Sequence, residues 1–175
     1  MLILNDKDEQ IPISQADAKY KRYIGNGAPK HFLSWSNNLT WRNFDLSVFF
    51  RGTFGFDVFN MRKYGMGLQG CGTDNVLRSA YLEDKNIRTG GGVISSYFLE
   101  DGSFIKLENV TLGYNFTPKN RKLLDNMRIY LSAKNLFTLT GYSGNDPSII
   151  DVNGIQPGVD SNSAYPTACL LYTSP

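Results

Sequence analysis

From His31 the chain alternates between apolar and polar side chains. In "HFLSWSNNLTWRNFDLSVFFRGTFG", residues 31–55, a two-residue turn at Arg42 and Asn43 has the length a right-twisted hairpin prefers, and Asn tolerates left-handed backbone. That turn opposes Trp41 to Phe44, Leu39 to Leu46, Asn37 to Val48 and Trp35 to Phe50, so one face is almost wholly apolar. The other face opposes Thr40 to Asp45, Asn38 to Ser47, Ser36 to Phe49 and Ser34 to Arg51, and is nearly all polar. A slip of one residue would turn every side chain of a strand over, so the agreement of two independent patterns fixes the register.

Residues 56 to about 97 lose the alternation and carry the Gly-rich "YGMGLQGCG" and "TGGGV". They are expected to form a long loop, with one helical turn near "VFNMRKY". Period two returns in "SFIKLENVTLGYNFT", residues 103–117, with Val110, Leu112, Tyr114 and Phe116 on one face and Asn109, Thr111, Gly113 and Asn115 on the other. After a short connection, "PKNRKLLDNM", a strand over 128–140 sets Ile129, Leu131, Ala133 and Phe137 against Arg128, Tyr130, Ser132, Lys134 and Thr138. Residues 141–164 then form a second long polar loop.

The alternation admits two architectures. A soluble β-sandwich turns its apolar faces to a core, whereas a membrane barrel turns them to lipid and lines its lumen with the polar ones. Short links alternating with long ones, and aromatics gathered at Trp41, Phe44, Tyr114 and Phe116 and again at Phe54, Phe104, Phe137 and Tyr142, fit a barrel with short turns at one rim, long loops at the other and an aromatic girdle at each interface. A sandwich core with aromatic ends fits the same pattern.

Composition narrows the classes. The chain has 175 residues, with ten Tyr, eleven Phe and seventeen Gly, which favours strands joined by turns over a helical bundle. Mean hydropathy is −0.30, and no apolar run approaches the ~18 residues of a spanning helix, a test that does not bear on barrels. A net charge of +2 gives no argument for nucleic acid. "MLILNDKDEQ" lacks the basic and apolar regions of a secretory signal, so an exported chain would have its signal encoded upstream. Cys71 and Cys169 match no metal or redox spacing.

Candidate chemistry is sparse. "DKDEQIPISQAD" sets Asp6, Asp8, Gln10, Ser14 and Asp17 at the spacing of a calcium loop. Ile11 stands where that loop needs Gly, so a solvated loop is the better account and no metal is expected. The one histidine, His31, beside Lys30, excludes most acid–base and triad schemes and reads as interfacial. Glu83/Asp84 and Glu100/Asp101 are adjacent and point apart in extended chain, and Gly90 to Gly92 lack the Lys and helix of a phosphate loop. No cofactor is expected, and an enzyme ranks last of the readings. Tyr64, Tyr97 and Tyr142 in the loops are the weak candidates for stacking on a substrate such as a sugar ring.

Four stretches are more specific. "IGNGAPKHF", "NFDLSVFFRGTFGFDVFN", "DGSFIKLENVTLGYNFT" and "RIYLSAKNLFTLTGYSGNDPSI" resemble, in order and spacing, the C-terminal barrel end of SusC/RagA-type TonB-linked outer-membrane transporters of Bacteroidota. The resemblance runs from about Leu2 to Ala168. It implies an all-β fold: four to five antiparallel strands of a 22-stranded transmembrane β-barrel with long extracellular loops. Residues 1–30 would be a loop leading into the barrel and residues 31–168 its C-terminal part. It further implies location in the outer membrane and contact with its lipid. The implied function is import of glycans or peptides with a SusD-like surface lipoprotein and energy from TonB. Ile129 and Leu131 would face lipid, and Tyr130, Ser132 and Lys134 the lumen. The alternative is a secreted soluble β-sandwich that binds carbohydrate, which would bury Leu46 and Leu131. The family's plug and TonB box are missing, so the chain reads as a fragment. "CLLYTSP", residues 169–175, matches the translated transposon end and adapter of sequencing libraries and is expected to be a non-native tail.

Overall fold

The computed structural model describes residues 2–4, 10–12, 23–67, 75–78, 96–117, 127–148, 157–161 and 165–174. In it β1 (Leu2–Leu4) and β2 (Gln10–Pro12) pair antiparallel, so the stretch expected to be only a loop carries a hairpin. Strand β3 (His31–Trp41) and β4 (Phe44–Phe54) then pair in the register read from the sequence, from Trp41 opposite Phe44 to His31 opposite Phe54. The turn differs in one respect. Its left-handed residue is Arg42, at φ 54°, rather than the Asn expected to supply that geometry. The Arg42 guanidinium lies 5.5 Å from the Trp41 ring centre, and the Asn43 carbonyl is taken by the backbone N–H of Asn115 at 2.8 Å, both of which favour this arrangement.

The span expected to be one long loop is also more ordered. It holds β5 (Asp57–Asn60), α1 (Met61–Met66), a 3-10 turn at Ser96–Phe98 and β6 (Leu99–Asp101). The Asn60 side chain caps α1 by accepting from the Lys63 N–H at 2.8 Å. Strand β5 pairs parallel with the later β9 (Val159–Asp160) in a small sheet of order β6-β5-β9. The "IGNG" glycines belong to this unit: a Cβ on Gly27 would fall 2.0 Å from the Pro157 carbonyl oxygen and one on Gly25 2.3 Å from the Leu99 side chain. Asn26 uses the close approach to exchange two bonds with Asp57.

The other unit is built on β7 (Phe104–Phe116), β8 (Met127–Thr140) and β10 (Leu170–Ser174), which with β3 and β4 make a five-stranded antiparallel sheet of order β10-β8-β7-β4-β3. The four longer strands have 11, 11, 13 and 14 residues, enough for the roughly 9–11 residues a tilted barrel strand needs to span hydrocarbon. Residues 170–174 add to the free edge of β8, which exposes unpaired backbone groups to any extended segment.

Two irregularities keep the faces consistent. Relative to β4, β7 carries one extra residue at Glu108; opposite that point β8 bulges at Asn135, which is left-handed at φ 54°. Below the bulge the parity of β7 therefore flips. Ile105 and Leu107 join Val110, Leu112 and Tyr114 on the apolar face, while Phe104 and Lys106 turn to the polar one.

Among the described residues Leu107 and Ala133 are buried on the apolar face, but most of it is open: Trp41 is 67% exposed, Leu39 57% and Leu131 42%. What is buried lies largely on the opposite side. Phe56 meets Phe104 edge to face at 6.5 Å, with Thr53, Lys106 and Tyr142 also buried. The girdle expected at the long-loop ends is corrected accordingly, because parity carries Phe104 inward and Tyr142 lies past the end of β8, folded against Gly144.

Candidate functional site

On the polar face of the five-stranded sheet the strands gather hydrogen-bonding chemistry. Near the Arg42–Asn43 turn, Asp45 on β4 reaches over β7 to β8. It accepts from the Arg128 guanidinium at 2.5 Å and from Asn115 Nδ2 at 3.2 Å. Gly113 makes this crossing possible, since a Cβ there would stand 2.5 Å from the Asp45 carboxylate. At mid-height Thr111 and Ser132 share a 2.9 Å bond, next to Asn109 and its cross-strand neighbour Lys134. On the Phe104 side of the bulge Arg51 faces Glu108 at 3.4 Å and lies 5.9 Å from the Phe104 ring centre.

The most enclosed charged group among the described residues is Lys106, 2% exposed. Its Nζ donates to Ser148 Oγ at 3.2 Å and to Thr167 Oγ1, and faces Asp146 Oδ2 at 3.4 Å. Asp146 also accepts from Ser148 Oγ (2.6 Å) and N–H (2.9 Å) and from Thr167 Oγ1 (2.6 Å) and N–H (3.3 Å). Burial raises the carboxyl pKa, but the side-chain hydrogen bonds from Ser148 and Thr167, helped by their backbone N–H groups, outweigh it and bring it from 3.8 to about 2. The carboxylate therefore stays charged at neutral pH.

The aromatic candidates divide. Tyr64 and Tyr97 both pack on Phe98, each with ring centres 5.2 Å apart, and both are half-buried. Lys63 sits 4.2 Å from the Tyr97 ring centre and pairs with Glu100 at 3.5 Å. Tyr142, in the other unit, is 6% exposed, so its ring is enclosed. Glu100 and Asp101 turn to different partners, Lys63 and Ser103. His31 is exposed at the start of β3. Cys169 is free and exposed. Asp6, Asp8, Ser14, Asp17, Cys71, Glu83, Asp84 and Gly90 to Gly92 lie outside the described residues. Among the described residues no group of three or more His, Cys, Asp or Glu is placed to hold a metal.

Sequence reasoning missed Lys106, Asp146, Ser148 and Thr167. Half of the signal is local, because Asp-Pro-Ser is a turn in which the Asp side chain takes the N–H two residues on. The rest joins residues 21 to 61 positions apart, which no period reveals. Chemically the polar face is a wall of paired charges, hydroxyls and amides, suited to hydrogen bonding with a polar solute in transit.

No protein-family profile matches the chain. Among curated proteins it is 30% identical over 158 residues to TonB-dependent receptor P3 of Formosa agariphila, covering 81% of this chain and 15% of that protein. It is 27% identical over 142 residues to TonB-dependent receptor SusC of Bacteroides thetaiotaomicron, covering 76% and 13%. The chain thus spans only about 15% of the length of the curated relatives it matches. Among solved structures it resembles the RagAB peptide importer in its closed-closed state, with TM-score 0.71 and 22% identity over 98% of this chain and 20% of that one. A RagAB peptide transporter structure gives 0.69 and 23% over 91% and 18%.

Proposed function

The chain belongs to the SusC/RagA type of TonB-dependent receptors, and on that premise we propose that it forms part of the wall of an outer-membrane importer, guiding cargo through a polar passage without converting it. The observation that carries this reading is the two-sidedness of the sheet. Its apolar face is largely exposed, and its polar face is knitted by Asp45–Arg128, Thr111–Ser132 and the Lys106 cluster. A soluble sandwich would bury Leu131, which is instead 42% exposed, so the carbohydrate-binding alternative is not favoured.

In this reading residues 31–168 are barrel, and the apolar face of β3, β4, β7 and β8 meets outer-membrane lipid. A SusD-like lipoprotein is the partner at the cell surface and TonB the source of energy. The cargo is an oligomeric nutrient, glycan or peptide. Tyr64 and Tyr97 are the aromatics proposed to touch it. Residues 169–175 are proposed to be foreign, which sequencing the flanking genomic DNA decides.

The test uses the full-length receptor carrying this segment, reconstituted in bilayers with spin labels at Leu46, Leu112 and Leu131. The labels are expected to be relaxed by lipid-dissolved oxygen and shielded from a water-soluble nickel chelate. The opposite ordering of the two relaxants at all three positions would overturn the reading.

A further inference from the structure

Lys106 is a full-length cation enclosed on a face that water would otherwise hydrate. Sheet pairing does not require this, because strand β7 holds Lys106 by its backbone whatever its ammonium touches. The burial comes from three residues outside the long strands. Asp146 and Ser148 lie just beyond the end of β8, and Thr167 lies just before β10. They are the departure and return points of one connection, and Asp146 binds Thr167 through two hydrogen bonds across 21 positions. The neck of that connection is therefore closed, and Lys106 ties the closed neck to the middle of the sheet through Ser148 Oγ and Thr167 Oγ1.

Placing an ammonium and a carboxylate out of water is unfavourable unless each finds nearly all its partners. Here they do. Lys106 meets three oxygen acceptors, and both carboxylate oxygens of Asp146 are engaged. Such a network is worth most when complete and little when one member is removed. Its four members sit on three separate stretches of chain, so it specifies one arrangement of the three.

We propose that Lys106 is a positioning residue: with Asp146, Ser148 and Thr167 it forms a permanent clasp that fastens the neck of the connection between β8 and β10 to the polar wall of the passage. The proposal rests on the importer reading only for the meaning of that wall. The Asp146 carboxyl, held at about 2 by its hydrogen bonds, keeps its charge at neutral pH.

The experiment uses the full-length receptor in intact cells, with Cys71→Ser as background. A broad-specificity protease is added outside, and nicking within residues 149–166 is located by mass spectrometry. Lys106→Met and Asp146→Asn are each expected to raise the nicking rate at least tenfold while the amount of folded, heat-modifiable barrel stays at the parent level. The double variant is expected to add less than twofold more, as a single network requires. Unchanged nicking in both single variants with the barrel folded would overturn the proposal. Should Lys106→Met fail to fold, the pair Asp146→Cys/Thr167→Cys decides. Protection present when the pair is oxidised and lost on reduction supports the clasp, and equal protection in both states sinks it. Cargo uptake is measured in parallel: a parent receptor that takes up no nutrient counts against the importer reading and leaves the clasp result standing.

Discussion

At the scale of single residues, the polar face depends on what glycine omits and on what a carboxylate collects. Gly113 lies under the Asp45 carboxylate, 2.5 Å from where its own Cβ would be. Gly113→Val is therefore expected to push Asp45 off Arg128. Because Arg128 is 55% exposed, the lost pair is worth only about 0.5 kcal/mol, and the clearer signature is non-additivity. Arg128→Ala should lower the unfolding midpoint of the parent and leave that of Gly113→Val unchanged. Asp146 makes a larger and pH-dependent contribution. Its folded pKa of about 2 lies below the ordinary 3.8, so the stabilisation is fully present above pH 4 and disappears as pH falls through about 2. The difference is about 2 kcal/mol. Unfolding free energies measured from pH 6 to pH 2 for the parent and Asp146→Asn should therefore converge at the acid end, and a constant gap would contradict the assignment.

At the scale of elements, the hairpin from His31 to Phe54 was legible because two strands, read separately, had to agree on one turn. No comparable check existed where the period breaks. The extra residue at Glu108 and the left-handed Asn135 are single-residue events in otherwise regular strands. An alternation read only from Val110 to Phe116 cannot show that Lys106 and Phe104 have turned to the polar side. The helical turn read near "VFNMRKY" is α1, but residues 57–60 were opaque for a different reason: β5 finds its partner in β9, a hundred positions on, and a two-residue pairing leaves no periodic trace. The bulge makes its own prediction. Straightening β7 so that Glu108 took a place in the pairing would return Phe104–Leu107 to the other parity and carry Lys106 onto the lipid side, whereas deleting Glu108 removes the extra residue and leaves Leu107 on the apolar face and Lys106 on the polar one, opposite Arg51 as before. The full-length receptor with Glu108 deleted should therefore keep most of its folded, heat-modifiable form. Asn135→Gly, which suits a φ of 54°, should retain it, whereas Asn135→Val should destabilise by about 1–2 kcal/mol.

At the scale of the molecule, the alternating pattern cannot by itself say where water lies, since a sandwich and a barrel share the period and differ in which face is covered. Two facts separate them here. The apolar faces of β3, β4, β7 and β8 join into one surface that is largely exposed among the described residues, while burial concentrates on the polar side around Lys106 and Tyr142. A water-soluble protein would leave such a surface open only at the risk of aggregation; in a bilayer the same surface is the solvated one. The sidedness is testable by paired substitution at neighbouring positions of β8. Leu131→Lys sets a charge on the apolar face, whereas Ser132→Lys sets it on the polar face, one residue along the same strand at nearly the same depth. In the full-length receptor refolded into bilayers, Leu131→Lys is expected to cost about 2–4 kcal/mol and Ser132→Lys less than about 1 kcal/mol. Reading the two unfolding free energies side by side removes differences of depth and strand propensity, so a Ser132→Lys penalty equal to or greater than that of Leu131→Lys would mean that the water is on the other side of this sheet.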